Sequence, residues 1–138
     1  MPEKIHLEIV TPESRVFEAN VDRVEVPGLD GELGILPGHT ELVSQLKPAG
    51  LLTYHQGNER GEIAISGGLV EVNSDRIIVL ANRATRPEDI DIAQALEIKK
   101  QAERHLQKAL SDPDMDIVRA TIELERASVE ILLAQKYN

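Results

Sequence analysis

The 138-residue chain has no cysteine, which removes disulfides, thiolate metal centres and thiol nucleophiles together. It has no tryptophan and only three aromatics, Phe17, Tyr54 and Tyr137, too few for base-stacking platforms or aromatic cages. The core must therefore be aliphatic. No stretch approaches the ~20 apolar residues of a membrane-spanning helix. The opening Met1-Pro2-Glu3-Lys4-Ile5 lacks the apolar run of a signal peptide, so a cytosolic chain is expected unless a partner holds it elsewhere. Positive charge is also scarce: 15 Lys and Arg against 24 Asp and Glu leave a formal net charge of −9. That field repels phosphate backbones and anionic lipid, so nucleic acid is excluded as a partner. What is present is the composition of a folded protein, 41% apolar and 28% charged, too apolar for a disordered chain.

Glycine is missing from one part of the chain. All nine glycines precede residue 69, whereas residues 88–138 hold one proline, Pro113, and no glycine. Glycine supplies the positive-φ turns that short strands need, and its absence over an Ala-, Leu-, Glu-, Gln- and Lys-rich stretch favours helix. The chain divides near Arg86-Pro87. Before that point, Lys4-Ile5-His6-Leu7-Glu8-Ile9 and Arg23-Val24-Glu25-Val26 alternate with the period of half-buried strands. Glu62-Ile63-Ala64-Ile65 leads through Ser66-Gly67-Gly68 into Leu69-Val70-Glu71-Val72, and Asn73-Ser74-Asp75 turns into Arg76-Ile77-Ile78-Val79-Leu80, a hairpin. Short strands without crossover helices indicate an antiparallel sandwich or barrel over residues 1–86.

From Pro87 the period changes. Ile92, Ala95, Leu96, Ala102, Leu106, Ala109 and Leu110 recur at threes and fours, with Lys99 interrupting the stripe. Ile117, Ala120, Leu124, Ala127, Ile131 and Ala134 repeat the pattern. Thr85-Arg86-Pro87-Glu88 places a capping hydroxyl and an early proline at the first helix. Pro113 breaks the run and is placed to open the second helix, with Asp114 and Asp116 at its positive end. Residues 87–138 thus read as a helix-turn-helix hairpin.

Catalytic patterns are missing. The four histidines, His6, His39, His55 and His105, lack metal-ligand spacing. No Gly-x-Ser-x-Gly elbow occurs, and Gly31-Glu32-Leu33-Gly34-Ile35 lacks the Gly-Lys-Ser/Thr ending of a phosphate loop. Asp112, Asp114, Asp116 and Glu123 match the spacing of a calcium loop, yet Ile117 stands where that loop needs glycine. The run Gly31-Glu32-Leu33-Gly34-Ile35-Leu36-Pro37-Gly38-His39-Thr40, with three glycines and a proline, specifies an unusual backbone more than a core strand.

This decapeptide, with Ser66-Gly67-Gly68-Leu69-Val70-Glu71-Val72 downstream and a helical hairpin after Asp89-Ile90-Asp91, resembles the epsilon subunit of bacterial F-type ATP synthases over essentially the whole chain. The resemblance implies a ten-stranded N-terminal β-sandwich that grips the gamma subunit and stands on the membrane ring of c subunits, a rotor part without chemistry of its own. It assigns Glu32, Gly34, Pro37, Gly38 and His39 to the ring-facing interface. It further implies that the C-terminal hairpin opens along gamma toward the alpha and beta subunits and brakes hydrolysis. Basic residues of the second helix serve that brake in some relatives; here Arg119 with Glu123 and Arg126 with Glu130, each four apart, are placed to neutralise one another.

Some relatives bind regulatory ATP in the folded hairpin. Met115-Asp116-Ile117-Val118-Arg119-Ala120 matches their motif, which makes Asp91, Asp116, Arg119, Ala120 and Arg126 the candidate nucleotide contacts. Thr85 and Gln94 depart from that pattern, standing where such relatives carry an acid and an arginine. No cofactor or metal is otherwise implied. The location implied is the cytoplasmic face of the bacterial inner membrane, with membrane contact only through the complex. A free-standing ATP-sensing module is the alternative function, and an uncharacterised β-sandwich enzyme a third.

Overall fold

The computed structural model describes residues 3–137, so the reading of Met1-Pro2 lies outside it. Eight strands occur among these residues: β1 (Ile5–Val10), β2 (Arg15–Val21), β3 (Arg23–Gly28), β4 (Gly31–Ile35), β5 (Leu42–Gln45), β6 (Gly50–Gln56), β7 (Glu59–Val72) and β8 (Arg76–Thr85). A 3₁₀ turn at Pro87–Asp89 and two helices, α1 (Ile92–Ala109) and α2 (Ile117–Tyr137), follow. The chain divides into two compact units between Arg86 and Pro87.

In the first unit the period-two pattern becomes burial. Ile5, Leu7 and Ile9 of β1 are fully buried, as are Val24 and Val26 of β3, and Ile77 and Val79 of β8. Alternate residues such as His6 and Glu8 point outward, as the pleat dictates. The strand order is β2-β1-β8-β7-β6-β3-β4, with β5 added on β7. Two long strands fold this sheet into layers. The first half of β7 pairs with β6 (Gly50↔Ile65 to Gln56↔Glu59), whereas its last residues pair with β5 (Gln45↔Leu69 to Leu42↔Val72). β8 accompanies it on both sides of the change, from Val72↔Ile77 to Ala64↔Thr85.

The change of partner falls at Ser66-Gly67-Gly68. Gly68 has φ 109°, and a Cβ there would lie 2.0 Å from the Leu80 carbonyl oxygen. No side chain fits, so the strand can bend only because the residue is glycine. β7 and β8 each serve both layers, and eight strands occur among the described residues where the resemblance implies ten.

Two strand-level expectations need correction. β1 and β8 pair in parallel (His6↔Arg76 to Val10↔Leu80), while the other strand pairs among the described residues are antiparallel. The strands between β1 and β8 provide the long crossover that a parallel pair requires, so no helix is needed. The glycine-rich decapeptide is also not mainly irregular. Its first half is β4, paired residue by residue on β3 from Gly28↔Gly31 to Val24↔Ile35. Glycine lowers strand propensity, but pairing with β3 and burial of Ile35 outweigh it here.

The second unit is a helical hairpin, with α1 and α2 packed together. Ala95, Ala102 and Ala109 on α1, and Ala120, Ala127 and Ala134 on α2, are buried at intervals of seven residues. Seven residues are close to two helical turns, so each set lines one stripe, and small side chains let the helix axes approach. Of the larger apolar residues expected in the stripe, Ile131 is buried, whereas Ile92, Leu96, Leu110 and Ile117 are exposed.

Both helix starts also differ from the sequence reading. Thr85 ends β8, paired with Ala64, six residues before the residue that caps α1. The N-cap of α1 is Asp91, whose Oδ1 accepts from the Gln94 amide at 3.0 Å. Pro113 lies in the turn, and α2 starts after Asp116, whose Oδ1 accepts from the Arg119 amide at 3.0 Å. An aspartate cap satisfies an orphan amide and places negative charge at the positive helix end, which neither threonine nor proline does as well.

Candidate functional site

β4 ends the strand order, so one of its edges offers unpaired backbone groups, a surface suited to a partner. Glu32 and Gly34 are on its exposed side, while Leu33 and Ile35 turn inward. Beyond Ile35 the chain makes a tight turn, with the His39 amide donating to the Leu36 carbonyl at 3.1 Å. Gly38, at φ 83°, donates its amide to the Ser74 carbonyl at 2.7 Å. This bond pins the loop to the β7–β8 turn, and the positive φ that aims it favours glycine. His39 Nδ1 donates to the Thr40 carbonyl at 2.7 Å, and Pro37 is half-buried.

In sequence these five residues run along β4 and the turn after it as one row. The three steps from Glu32 to Ile35 alone span about 10 Å at ~3.3 Å per residue. Leu36, between them in sequence and 59% exposed, joins this row and was not anticipated.

A second surface was missed in the sequence. On the outer face of the layer built from β5, β7, β8 and β1, Val43 lies opposite Glu71, Leu69 opposite Leu80, and Leu80 opposite Val10. Val43, Leu69 and Leu80 are 66%, 41% and 46% exposed. Ile78, in the adjacent row, also faces outward. The signal was available: Ile77-Ile78-Val79-Leu80 is apolar on both faces, where a one-sided strand would alternate.

The candidate nucleotide contacts are not gathered in one place. Asp91 caps the start of α1, and an 18-residue helix carries the chain about 27 Å away at ~1.5 Å per residue before α2 begins. Asp116, Arg119 and Ala120 line an open cleft of about 380 Å³ at the hairpin turn, with His105, Asp114, Met115 and Glu123. Arg119 Nε already donates to Glu123 Oε1 at 3.3 Å, so the cleft sets three carboxylates against one engaged guanidinium, an unfavourable field for a polyphosphate. Arg126 stands two turns further along α2. A pair of Arg126 with Glu130 was expected; among the described residues the Nε of Arg126 is buried without a hydrogen-bond partner.

Nor do Asp112, Asp114, Asp116 and Glu123 make a calcium loop. Asp112 Oδ1 accepts from the Asp114 amide at 2.9 Å, and among the described residues no metal-sized grouping of ligand atoms occurs at this turn. Such a grouping does occur on the sandwich, where donor atoms of His6, Glu8 and Glu18 lie within 4.8 Å of one another. Arg15 already stands against both carboxylates, at 3.8 Å from Glu8 and 3.5 Å from Glu18.

Comparison with known proteins decides the family. Residues 4–87 match the profile of the β-sandwich domain of the ATP synthase delta/epsilon chain, and residues 88–135 that of its long α-helix domain. The chain belongs to the ATP synthase delta/epsilon family. Within it, the chain is 45% identical to the ATP synthase epsilon chain of Desulforamulus reducens over 129 residues, 94% of this chain and 96% of the relative. It is 43% identical to that of Dehalococcoides mccartyi over 133 residues, 96% and 94% of the two chains.

Among solved structures, a chain of the Euglena gracilis mitochondrial ATP synthase, in an assembly of OSCP, F1 and c-ring, superposes with TM-score 0.79 at 26% identity, covering 99% of this chain and 83% of that one. A chain of the Tetrahymena thermophila central stalk and c-ring shares the fold, with TM-score 0.52 at 17% identity over 63% of this chain and 69% of that one. As in other family members, a sandwich precedes a helical segment, and no helix among the described residues is long and apolar enough to cross a membrane.

Proposed function

We propose that this member of the delta/epsilon family is the epsilon subunit of an F-type ATP synthase, a non-catalytic rotor part that couples ring rotation to ATP synthesis. The observation that carries this reading is the match of both units to the two family domains, at 45% identity to a relative named ATP synthase epsilon chain over nearly its full length. Torque transfer needs a stiff body with complementary surfaces and no reactive groups. In this reading the apolar face of Val43, Leu69, Ile78 and Leu80 seats on gamma, because apolar area of this kind gains from leaving water. The β4 edge with Glu32 and Gly34, and the loop of Pro37, Gly38 and His39, meets the polar loops of the c ring. The subunit is peripheral to a membrane-bound complex, and its place is the cytoplasmic face of the bacterial inner membrane.

The hairpin is the regulatory part in this reading. Its alanine seam buries little area per residue, so another docking surface along gamma, reaching the alpha and beta subunits, competes at small cost and brakes hydrolysis. The test is ATP hydrolysis by the cognate catalytic complex reconstituted with the full chain or with a form ending at Arg86. Faster hydrolysis with the shortened form is expected; equal rates would leave a coupling subunit whose hairpin is no brake.

A regulatory ATP is a second reading, favoured by Arg126, whose Nε is buried without a hydrogen-bond partner. It predicts that the difference between the two forms fades as ATP rises and persists when Arg126 is replaced by glutamine.

A further inference from the structure

The corner of the sandwich where edge strand β2 meets β1 holds an arrangement the coupling role does not use. His6 on β1 lies opposite Asn20 on β2, and Glu8 lies opposite Glu18. All four project from the outer face. Directly opposed carboxylates repel across an antiparallel pair, and Arg15, at 3.5 Å or more, is a loose counter-ion. The closer partner is His6. Its Nε2 lies 2.8 Å from Glu18 Oε2, and its Nδ1 lies 2.8 Å from Asn20 Oδ1. Both ring nitrogens therefore face oxygen acceptors. A neutral imidazole has one N–H and can satisfy one of them; the imidazolium has two and satisfies both.

We propose that His6 is a proton-operated clamp: its imidazolium bridges Glu18 and Asn20 and fastens edge strand β2 to β1, and loss of the proton loosens that edge. The groups facing the ring are Glu18, Asn20 and Arg15 from β2, Glu8 from β1 and Arg76 from β8, which pairs with His6 in register. The hydrogen bonds to Asn20 and Glu18 raise the His6 pKa above its ordinary 6.5, against desolvation and the opposing charge of Arg76. The hydrogen bond from His6, with smaller help from Arg15, holds Glu18 below its ordinary 4.5.

The signs set a window. The contribution from His6 is complete below pH 6.5 and is lost as pH rises through its folded value. That from Glu18 is complete above 4.5 and is lost as pH falls through its folded value. The clamp is therefore strongest between 4.5 and 6.5 and opens on the alkaline side. Because β2 is a terminal strand of the sheet, one of its sides lacks a ladder, and a side-chain bridge has more to hold there than within the sheet.

The experiment is an NMR titration of the His6 ring in the full chain, with amide exchange of β2 measured in wild type and in His6→Asn at matched pH. The expected midpoint lies above 6.5 and falls toward it in Glu18→Gln. The wild-type excess in β2 protection is expected near pH 5.5 and absent near pH 9. A midpoint at or below 6.5, or an excess that ignores pH, would overturn the clamp. A His6 ring that responds to equimolar Zn²⁺ and not to protons would also overturn it, and would make the cluster a metal site. Should His6→Asn fail to fold, the Glu18→Gln midpoint still decides.

Discussion

The sandwich buries isoleucine, leucine and valine, whereas the seam of the hairpin buries alanine. Ile5, Leu7, Ile9, Leu52, Ile63, Ile65 and Ile77 are at most 1% exposed, and a side chain of that size gains ~1.5–3 kcal/mol on burial. The hairpin alanines offer one methyl group each, about 0.8 kcal/mol by the same measure. Ile131 and Leu133, also buried, are the large exceptions on α2. The difference separates a tightly interlocked body from a lightly joined pair of helices. Many large side chains, interlocked between two layers that share β7 and β8, cannot be released singly, so the sandwich unfolds as a whole or stays rigid. Two helices joined along small residues give up less when they part, which suits an element that trades one surface for another.

The largest effect expected from breaking this contrast is at the sandwich corner. Gly68→Val puts branched carbons where a bare Cβ already lies 2.0 Å from the Leu80 carbonyl and must adopt φ 109°. It should cost about 4 kcal/mol or more and abolish cooperative unfolding of the sandwich in thermal denaturation followed by circular dichroism. Retention of a wild-type melting curve would show that β7 does not need glycine to change layers.

A smaller effect is expected at the seam. Ala102→Leu overfills a position that is fully buried, at a cost of about 1–3 kcal/mol, and should lower the helical transition while the sandwich midpoint stays unchanged. If both transitions moved together, the two units would be one cooperative body.

The smallest is at the caps. Asp116→Ala removes the acceptor for the Arg119 amide and should cost about 1 kcal/mol, read as faster amide exchange confined to the first turn of α2. The contrast sharpens if Asp116→Asn retains protection, because a cap needs an oxygen acceptor and not a charge.

The glycine boundary near residue 69, the alternation in β1 and β3 and the helical stripes after Pro87 made the division into strands and then helices legible, since each rests on local period and propensity, whereas β2, β5 and β6 were not read. The resemblance carried by the decapeptide and the Ser66-Gly67-Gly68 entry reached the family. Other features were not local. β4 looked irregular because two glycines, Gly31 and Gly34, weaken a strand that only pairing with β3 stabilises. Thr85 was expected to open the first helix because nothing in its neighbours reveals that it pairs with Ala64, twenty-one residues earlier, and that α1 is capped by Asp91 instead. The nucleotide candidates looked like one site because a sequence does not show that Asp91 and Asp116 cap the starts of two successive helices of a hairpin.

The amino-acid sequence by itself determined the class of this protein: a cysteine-free, aliphatic, acidic sandwich followed by glycine-free helices, with a motif set specific enough to place it in the delta/epsilon family. Composition and period act through neighbouring residues, so they can be read along the chain. Which apolar residues remain outside, as Leu69, Leu80 and Val43 do, and which polar residues meet, as His6, Glu18 and Asn20 do, were decided only by tertiary structure. Those outcomes depend on strand register and on the bend at Gly68, and a shift of one residue would send every side chain of a strand to the opposite face.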